Sequence, residues 1–173
     1  QWVGEEGMKK RTAPGDGWWI EQGATTSWEG WTDPGSGNHP MFGGGIVGFY
    51  RKLAGMNADP EKPGYRHIIF RPQPVNEISY ASYSNLTPYG TSAINWKKGN
   101  GKFIMEIFVP VGSTATAFVP STDSKSVKES GRKIKAKAGI VFNRLENGYA
   151  VFTVGSGSYR FETSSATTKW IVN

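Results

Sequence analysis

Phe103-Ile104-Met105-Glu106-Ile107-Phe108-Val109, the break Pro110-Val111-Gly112-Ser113, and then Thr114-Ala115-Thr116-Ala117-Phe118-Val119 decide the fold class. Apolar and β-branched residues fill the two runs, and proline, glycine and serine separate them, which is the grammar of strand, turn and strand. The same grammar extends outward from this stretch. Arg66 to Arg71, Ile78 to Ser84 and Ser92 to Lys97 precede it, and Ile134 to Lys137, Ile140 to Leu145, Tyr149 to Val154 and Tyr159 to Glu162 follow. Lys98-Gly99-Asn100-Gly101 and Glu146-Asn147-Gly148 supply further turns. Asn147-Gly148 suits a tight hairpin because both residues tolerate the positive φ that such a turn demands. Short strands at this spacing predict a mainly β chain built on an antiparallel β-sandwich.

Upstream of Tyr65 the pattern changes. Phe42, Ile46, Phe49, Tyr50 and Leu53 recur at the steps of an apolar helical face and predict one long helix over 40–54. Pro40 suits a first helical position with Asn38 or His39 at the cap, Arg51 and Lys52 complement the C-terminal dipole, and Gly55 ends the run. Gly43-Gly44-Gly45 works against it, at up to ~1 kcal/mol per glycine relative to alanine. Five of the seven tryptophans, Trp2, Trp18, Trp19, Trp28 and Trp31, lie in the first 31 residues. One helix with a glycine-rich aromatic leader cannot bury its own apolar face, since such a face needs a second layer. Residues 1–55 therefore read as the end of a helical domain, 56–64, with Pro60 and Pro63, as a linker, and 65–173 as the sandwich.

Composition narrows the functional classes. The chain has 173 residues, is 37% hydrophobic and 13% aromatic, and contains no cysteine. It is globular in composition, has no apolar run of the roughly 20 residues that would span a membrane, and opens on no signal peptide. Disulfides, thiolate metal sites and a cysteine nucleophile are excluded; the compartment stays open, with the periplasm or the exterior favoured over the cytoplasm. The formal charge of +6 is uneven: residues 1–60 carry five basic against seven acidic residues, and the remainder carries fifteen against seven. The densest basic stretch, Arg132-Lys133-Ile134-Lys135-Ala136-Lys137, alternates with small and apolar residues, so a strand would turn its cations to one solvated face. No recognition motif or stacking platform accompanies it, and no nucleic-acid partner is expected.

The chemistry concentrates in Gly23-Ala24-Thr25-Thr26-Ser27-Trp28-Glu29, where one carboxylate stands beside Trp28 and close to Trp31. Aromatic faces stack on sugar rings, and a carboxylate among them can take a proton from water. Thr26-x-x-Glu29 also matches a capping box, in which both side chains satisfy helix amides, and on the bare motif that is the commoner role. His39, between Asn38 and Pro40, can either donate a hydrogen bond to a ligand or pack at the helix start. His67 alternates with Ile68 and Phe70 as a sheet-face residue. Two histidines so placed show no metal-ligand spacing, and no cofactor is expected. Gly43 to Gly48 lacks the preceding strand of a dinucleotide site, and Gly155-Ser156-Gly157-Ser158 reads as a hairpin loop rather than a nucleophile elbow.

Trp19-Ile20-Glu21-Gln22-Gly23-Ala24-Thr25-Thr26-Ser27-Trp28-Glu29, then Asn38-His39-Pro40-Met41-Phe42-Gly43, then Pro63-Gly64-Tyr65-Arg66-His67-Ile68-Ile69-Phe70-Arg71-Pro72 together resemble the closing stretch of bacterial α-L-rhamnosidases. Thr87-Pro88-Tyr89-Gly90 and Trp96 resemble that family's C-terminal β-domain more loosely. The resemblance implies the last helices of an (α/α)6 barrel followed by a β-sandwich of jelly-roll type. It implies Glu29 as general base of an inverting hydrolase, His39 as a contact to rhamnose hydroxyls, and Trp28 and Trp31 as sugar-lining aromatics. It also implies rhamnose-containing glycans or glycosides as substrate, with the general acid in an upstream barrel of the same parent chain, so that this chain alone is expected to be inactive. The competing reading is a non-catalytic carbohydrate-binding or scaffolding sandwich in which the tryptophans only pack.

Overall fold

A computed structural model of the chain describes residues 16–30, 35–134 and 139–164. Two compact units divide it, residues 1–47 and residues 48–173. In the first, helix α1 (Asp16–Glu21) is a short element that no long apolar period announces.

The long helix expected over 40–54 is instead three short turns of different pitch. A 3-10 turn spans Pro40–Gly45, a single α turn α2 spans Ile46–Gly48, and a π turn spans Phe49–Ala54. Gly43-Gly44-Gly45 has little intrinsic preference for α geometry, and 3-10 and π turns are what a short helix uses when other contacts set its pitch. Gly55 closes the last turn at φ 87°, its N–H donating to the Tyr50 carbonyl at 3.0 Å.

The second unit is a β-sandwich. One sheet has the order β1 (Met56–Ala58), β2 (His67–Phe70), β6 (Thr114–Pro120), β10 (Tyr149–Val154), β9 (Ile140–Glu146). The other runs β3 (Tyr80–Thr87), β4 (Gly90–Gly99), β5 (Lys102–Val109), β11 (Gly157–Ser164), β7 (Lys128–Glu129), β8 (Arg132–Lys133). Among the described residues every pairing is antiparallel except β2 with β6. Asn147 and Gly148, at φ 47° and 82°, form the tight turn their residue types predict, with Tyr149 opposite Glu146.

Met56–Ala58, in the stretch read as a linker, is a strand, with Met56 opposite Phe70. Three residues are too few to display a period, and the neighbouring prolines and glycine mask them. Asp59–Gly64 is the turn back to β2, where the Asp59 carboxylate accepts the Glu61 N–H at 3.0 Å. Of the expected strand Ile134 to Lys137, residues 135–137 lie outside the described residues, as does Trp2.

Alternation along β5 turns Phe103, Met105, Ile107 and Val109 inward; with Ile94, Trp96 and Phe161 they share one buried cluster with Phe70, Ala115, Ala117, Ala150 and Phe152 of the other sheet. Small alanines on β6 and β10 leave room for the opposing rings, so the layers interdigitate. The Trp96 indole N–H donates to the Leu53 carbonyl at 2.9 Å, satisfying the one polar atom of a buried ring.

The outer face of the first sheet carries its own network. The Arg71 guanidinium lies 4.7 Å from the Phe118 ring centroid and 5.4 Å from that of Tyr149, and 3.5 Å from the Glu146 carboxylate. The Tyr149 hydroxyl donates to the Pro72 carbonyl at 2.7 Å. His67, buried on the same sheet, sits with Nδ1 2.6 Å from the Thr114 hydroxyl and Nε2 2.8 Å from that of Thr116. Burial first, and the Lys62 charge second, hold its imidazole below the ordinary pKa against a smaller upward pull from Asp59. The folded state thus binds fewer protons at His67 than the unfolded chain, which titrates near ~6.5. Its contribution to stability is complete above that value and declines as the pH falls toward the folded pKa. Thermal midpoints at about pH 7.5 and about pH 5 should differ more for the native chain than for His67→Gln, the direction that this linkage dictates. An equal drop in both proteins would assign the acid sensitivity to other groups.

Candidate functional site

The loop between α1 and Pro40 is held by its own backbone. Helix α1 ends as the Gln22 and Gly23 amides donate back to the carbonyls of Trp18 and Ile20, at 3.0 and 2.9 Å. Trp19, only 5% exposed, donates its indole N–H to the Gly30 carbonyl at 3.2 Å, which fixes the backbone immediately after Glu29. Farther along, the Glu29 amide donates to the Ser36 carbonyl at 3.1 Å and the His39 amide to the Ser27 carbonyl at 2.7 Å. The Thr26 hydroxyl donates to the Gly37 carbonyl. These bonds bring residues 26–30 against residues 36–39.

Glu29 and His39 meet as a result. The Glu29 carboxylate, its side chain 54% exposed, accepts the Ser36 N–H through Oε2 at 3.1 Å, and the same oxygen lies 4.0 Å from His39 Nδ1. That separation is too long for a hydrogen bond. Gly35 lies against the carboxylate: at φ 52° its Cβ position would stand 3.1 Å from Glu29 Oε2, a tight contact for any side chain there.

The capping-box role is not what these side chains perform. No helix follows Thr26 within Ser27–Gly30, and both side chains bond to the 36–37 loop instead of to helix amides. Pro40 does open a helical turn directly after His39. Trp28, half-buried, lies next to Glu29 in the chain; Trp31 falls outside the described residues. Sequence reasoning passed over Gly35, whose missing side chain leaves room beside the carboxylate, and Ser36, whose amide donates to it. A glycine and a serine in a turn carry no signal of which carboxylate they will stand against.

Chemically the arrangement is an exposed carboxylate, oriented by one backbone amide and 4.0 Å from an imidazole, with water access. Such a group can accept a proton from a water molecule or a hydroxyl.

Residues 55–134 match the family model described as the bacterial alpha-L-rhamnosidase C-terminal domain. The chain is 32% identical over 165 residues to an alpha-L-rhamnosidase of Streptomyces avermitilis, covering 89% of this chain and 15% of that relative. A solved alpha-L-rhamnosidase of Streptomyces avermitilis complexed with L-rhamnose superimposes with a TM-score of 0.77 at 30% identity, over 91% of this chain and 15% of that one. The solved alpha-L-rhamnosidase of Dictyoglumus thermophilum gives 0.74 at 41% identity, over 86% and 17%. The chain thus spans well under a fifth of the proteins it matches. The likeness to the bacterial alpha-L-rhamnosidase C-terminal domain runs through residues 55–134, from strand β1 to strand β8.

Proposed function

We propose that this chain is the C-terminal part of an α-L-rhamnosidase, an inverting glycoside hydrolase that releases terminal α-L-rhamnose from glycans or glycosides, and that Glu29 is its general base. The observation that carries the reading is the Glu29 carboxylate: half exposed, oriented by the Ser36 amide and 4.0 Å from His39, in a loop where it caps no helix.

In this reading Glu29 takes a proton from water on one face of the rhamnose ring. The water oxygen bonds to the anomeric carbon as the bond to the leaving oxygen breaks on the opposite face. A general acid from the parent's upstream (α/α)6 barrel protonates that leaving oxygen, the two carboxyl groups standing roughly 6.5–9.5 Å apart to admit the water. His39 contacts the sugar hydroxyls, and Trp28 and Trp31 line the ring. Residues 1–55 close the barrel, and the sandwich begins at once with strand β1 (Met56–Ala58). Ile46 and Val47, apolar yet 52% and 44% exposed, support a further layer over that helical stretch in the parent. Lacking the acid and most of the sugar pocket, the isolated chain is inactive.

The test is stereochemical. Proton NMR of the full-length enzyme on an aryl α-L-rhamnoside should show β-L-rhamnose as the first product, with α-L-rhamnose growing in only by mutarotation. First appearance of the α anomer would replace the base with a nucleophile and end the inverting reading.

A further inference from the structure

Across the outer face of the second sheet, register lines up residues far apart in sequence. Ser82 stands opposite Asn95, Asn95 opposite Glu106, and Glu106 opposite Arg160, so four polar side chains form one row over β3, β4, β5 and β11. In the next row on the same face, Phe108 stands between Ala93 and Ser158. The small neighbours leave the ring uncovered, 43% exposed near the end of a central strand. With the β7–β8 turn at Ser130 as a wall, Asn95, Glu106 and Arg160 of the first row and the whole second row line an open groove of about 320 Å³.

We propose that this groove binds one ring of a neutral saccharide. Its volume lies at the small end of ligand pockets, which run from roughly 300 Å³, and suits a single sugar unit. Phe108 offers an apolar face for the C–H face of the ring. Glu106 accepts hydrogen bonds, Arg160 donates them, and Asn95 does both, which is the mixture that vicinal hydroxyls require. The charge balance selects against anions. Arg160 is already engaged by Glu106 at 3.4 Å and by Glu162 at 3.3 Å, so a uronate or phosphate would meet two carboxylates around one shared cation. The same ion pairs hold the polar row in place before any ligand arrives, which lowers the ordering cost of binding. The site lies wholly within the sandwich and does not rest on the role of Glu29.

Amide shifts of the ¹⁵N-labelled chain, titrated with L-rhamnose, D-glucose or D-glucuronate, test it. Saturable shifts at Asn95, Glu106, Phe108, Ser158 and Arg160 are expected with at least one neutral sugar, with Kd of about 1–10 mM. Phe108→Ala should weaken that binding about tenfold or more by removing the stacking face. Asn95→Ala, at an exposed position that cannot compromise the core, should weaken it severalfold and serves if Phe108→Ala folds poorly. Absence of shifts at these amides with both neutral sugars, full affinity in the two variants, or tighter binding of glucuronate would each overturn the proposal.

Discussion

Glu29→Gln in the full-length enzyme that carries this chain is expected to lower kcat by about 10²–10⁴ while leaving thermal stability almost unchanged. Glutamine keeps the size of the side chain, and its carbonyl oxygen can still accept the Ser36 N–H that Glu29 Oε2 accepts at 3.1 Å. It cannot take a proton. The loop therefore holds its shape while the water loses its base. Both KM and the fold should survive, since Glu29 is half exposed and anchors nothing in the sandwich core. Azide separates base from bystander: a small anion can attack the anomeric carbon from the vacated side, so the variant should be rescued and should yield a glycosyl azide of inverted configuration. Near-normal hydrolysis by Glu29→Gln would remove the carboxylate from the chemistry.

Gly55→Ala is expected to be the most damaging small substitution in the sandwich unit. The residue sits at φ 87°, and a Cβ there would stand 2.3 Å from the Pro72 nitrogen and 2.4 Å from the Arg71 carbonyl carbon. Both are backbone atoms, held because the Arg71 amide donates to the Gly55 carbonyl at 2.7 Å and the Gln73 amide to that of Lys52 at 2.9 Å. A left-handed backbone costs a non-glycine residue about 1–2 kcal/mol, and forcing apart a packed contact about 1–3 more. The sum of about 2–5 kcal/mol should lower Tm by roughly 5–15 °C for a domain of this size. Gly64→Ala is the control. Its φ is 74°, but nothing lies within 4 Å of its Cβ position, so only the conformational part of about 1–2 kcal/mol applies. Equal losses from the two alanines, measured by thermal unfolding, would show that the close approach of Pro72 to Gly55 does not constrain this corner.

The difference between those glycines illustrates how far residue patterns reach. Both occur in turn-rich sequence, and both read as places where a chain bends. Which one has another strand's backbone pressed against it depends on Arg71 and Pro72, some sixteen residues away from Gly55. The helix over 40–54 is similar: the apolar period was present, but a period says only which residues share a face. The pitch answered to Gly43-Gly44-Gly45 and to the contacts of Leu53 with Trp96, so the run became 3-10, α and π turns. For the site, the residue types and their resemblance to a known motif singled out Glu29 and His39. Their 4.0 Å approach depends on loop bonds through Thr26, Ser36 and Gly37 that no spacing announces.

The sequence by itself determined the elements whose information is local. The inward face of β5, the break at Pro110 to Ser113 and the Asn147-Gly148 hairpin follow from alternation and from the φ angles those residues tolerate, and each is settled within a few neighbouring residues. Tertiary structure alone decided whatever depends on partners distant in the chain. It made a strand of Met56–Ala58 because Phe70 lies opposite, ran β2 parallel to β6, and brought Ser82, Asn95, Glu106 and Arg160 into one row beside Phe108. A strand exposes the same hydrogen-bonding backbone whatever its side chains, so which strand it joins is chosen by packing of the whole sandwich rather than by its own residues.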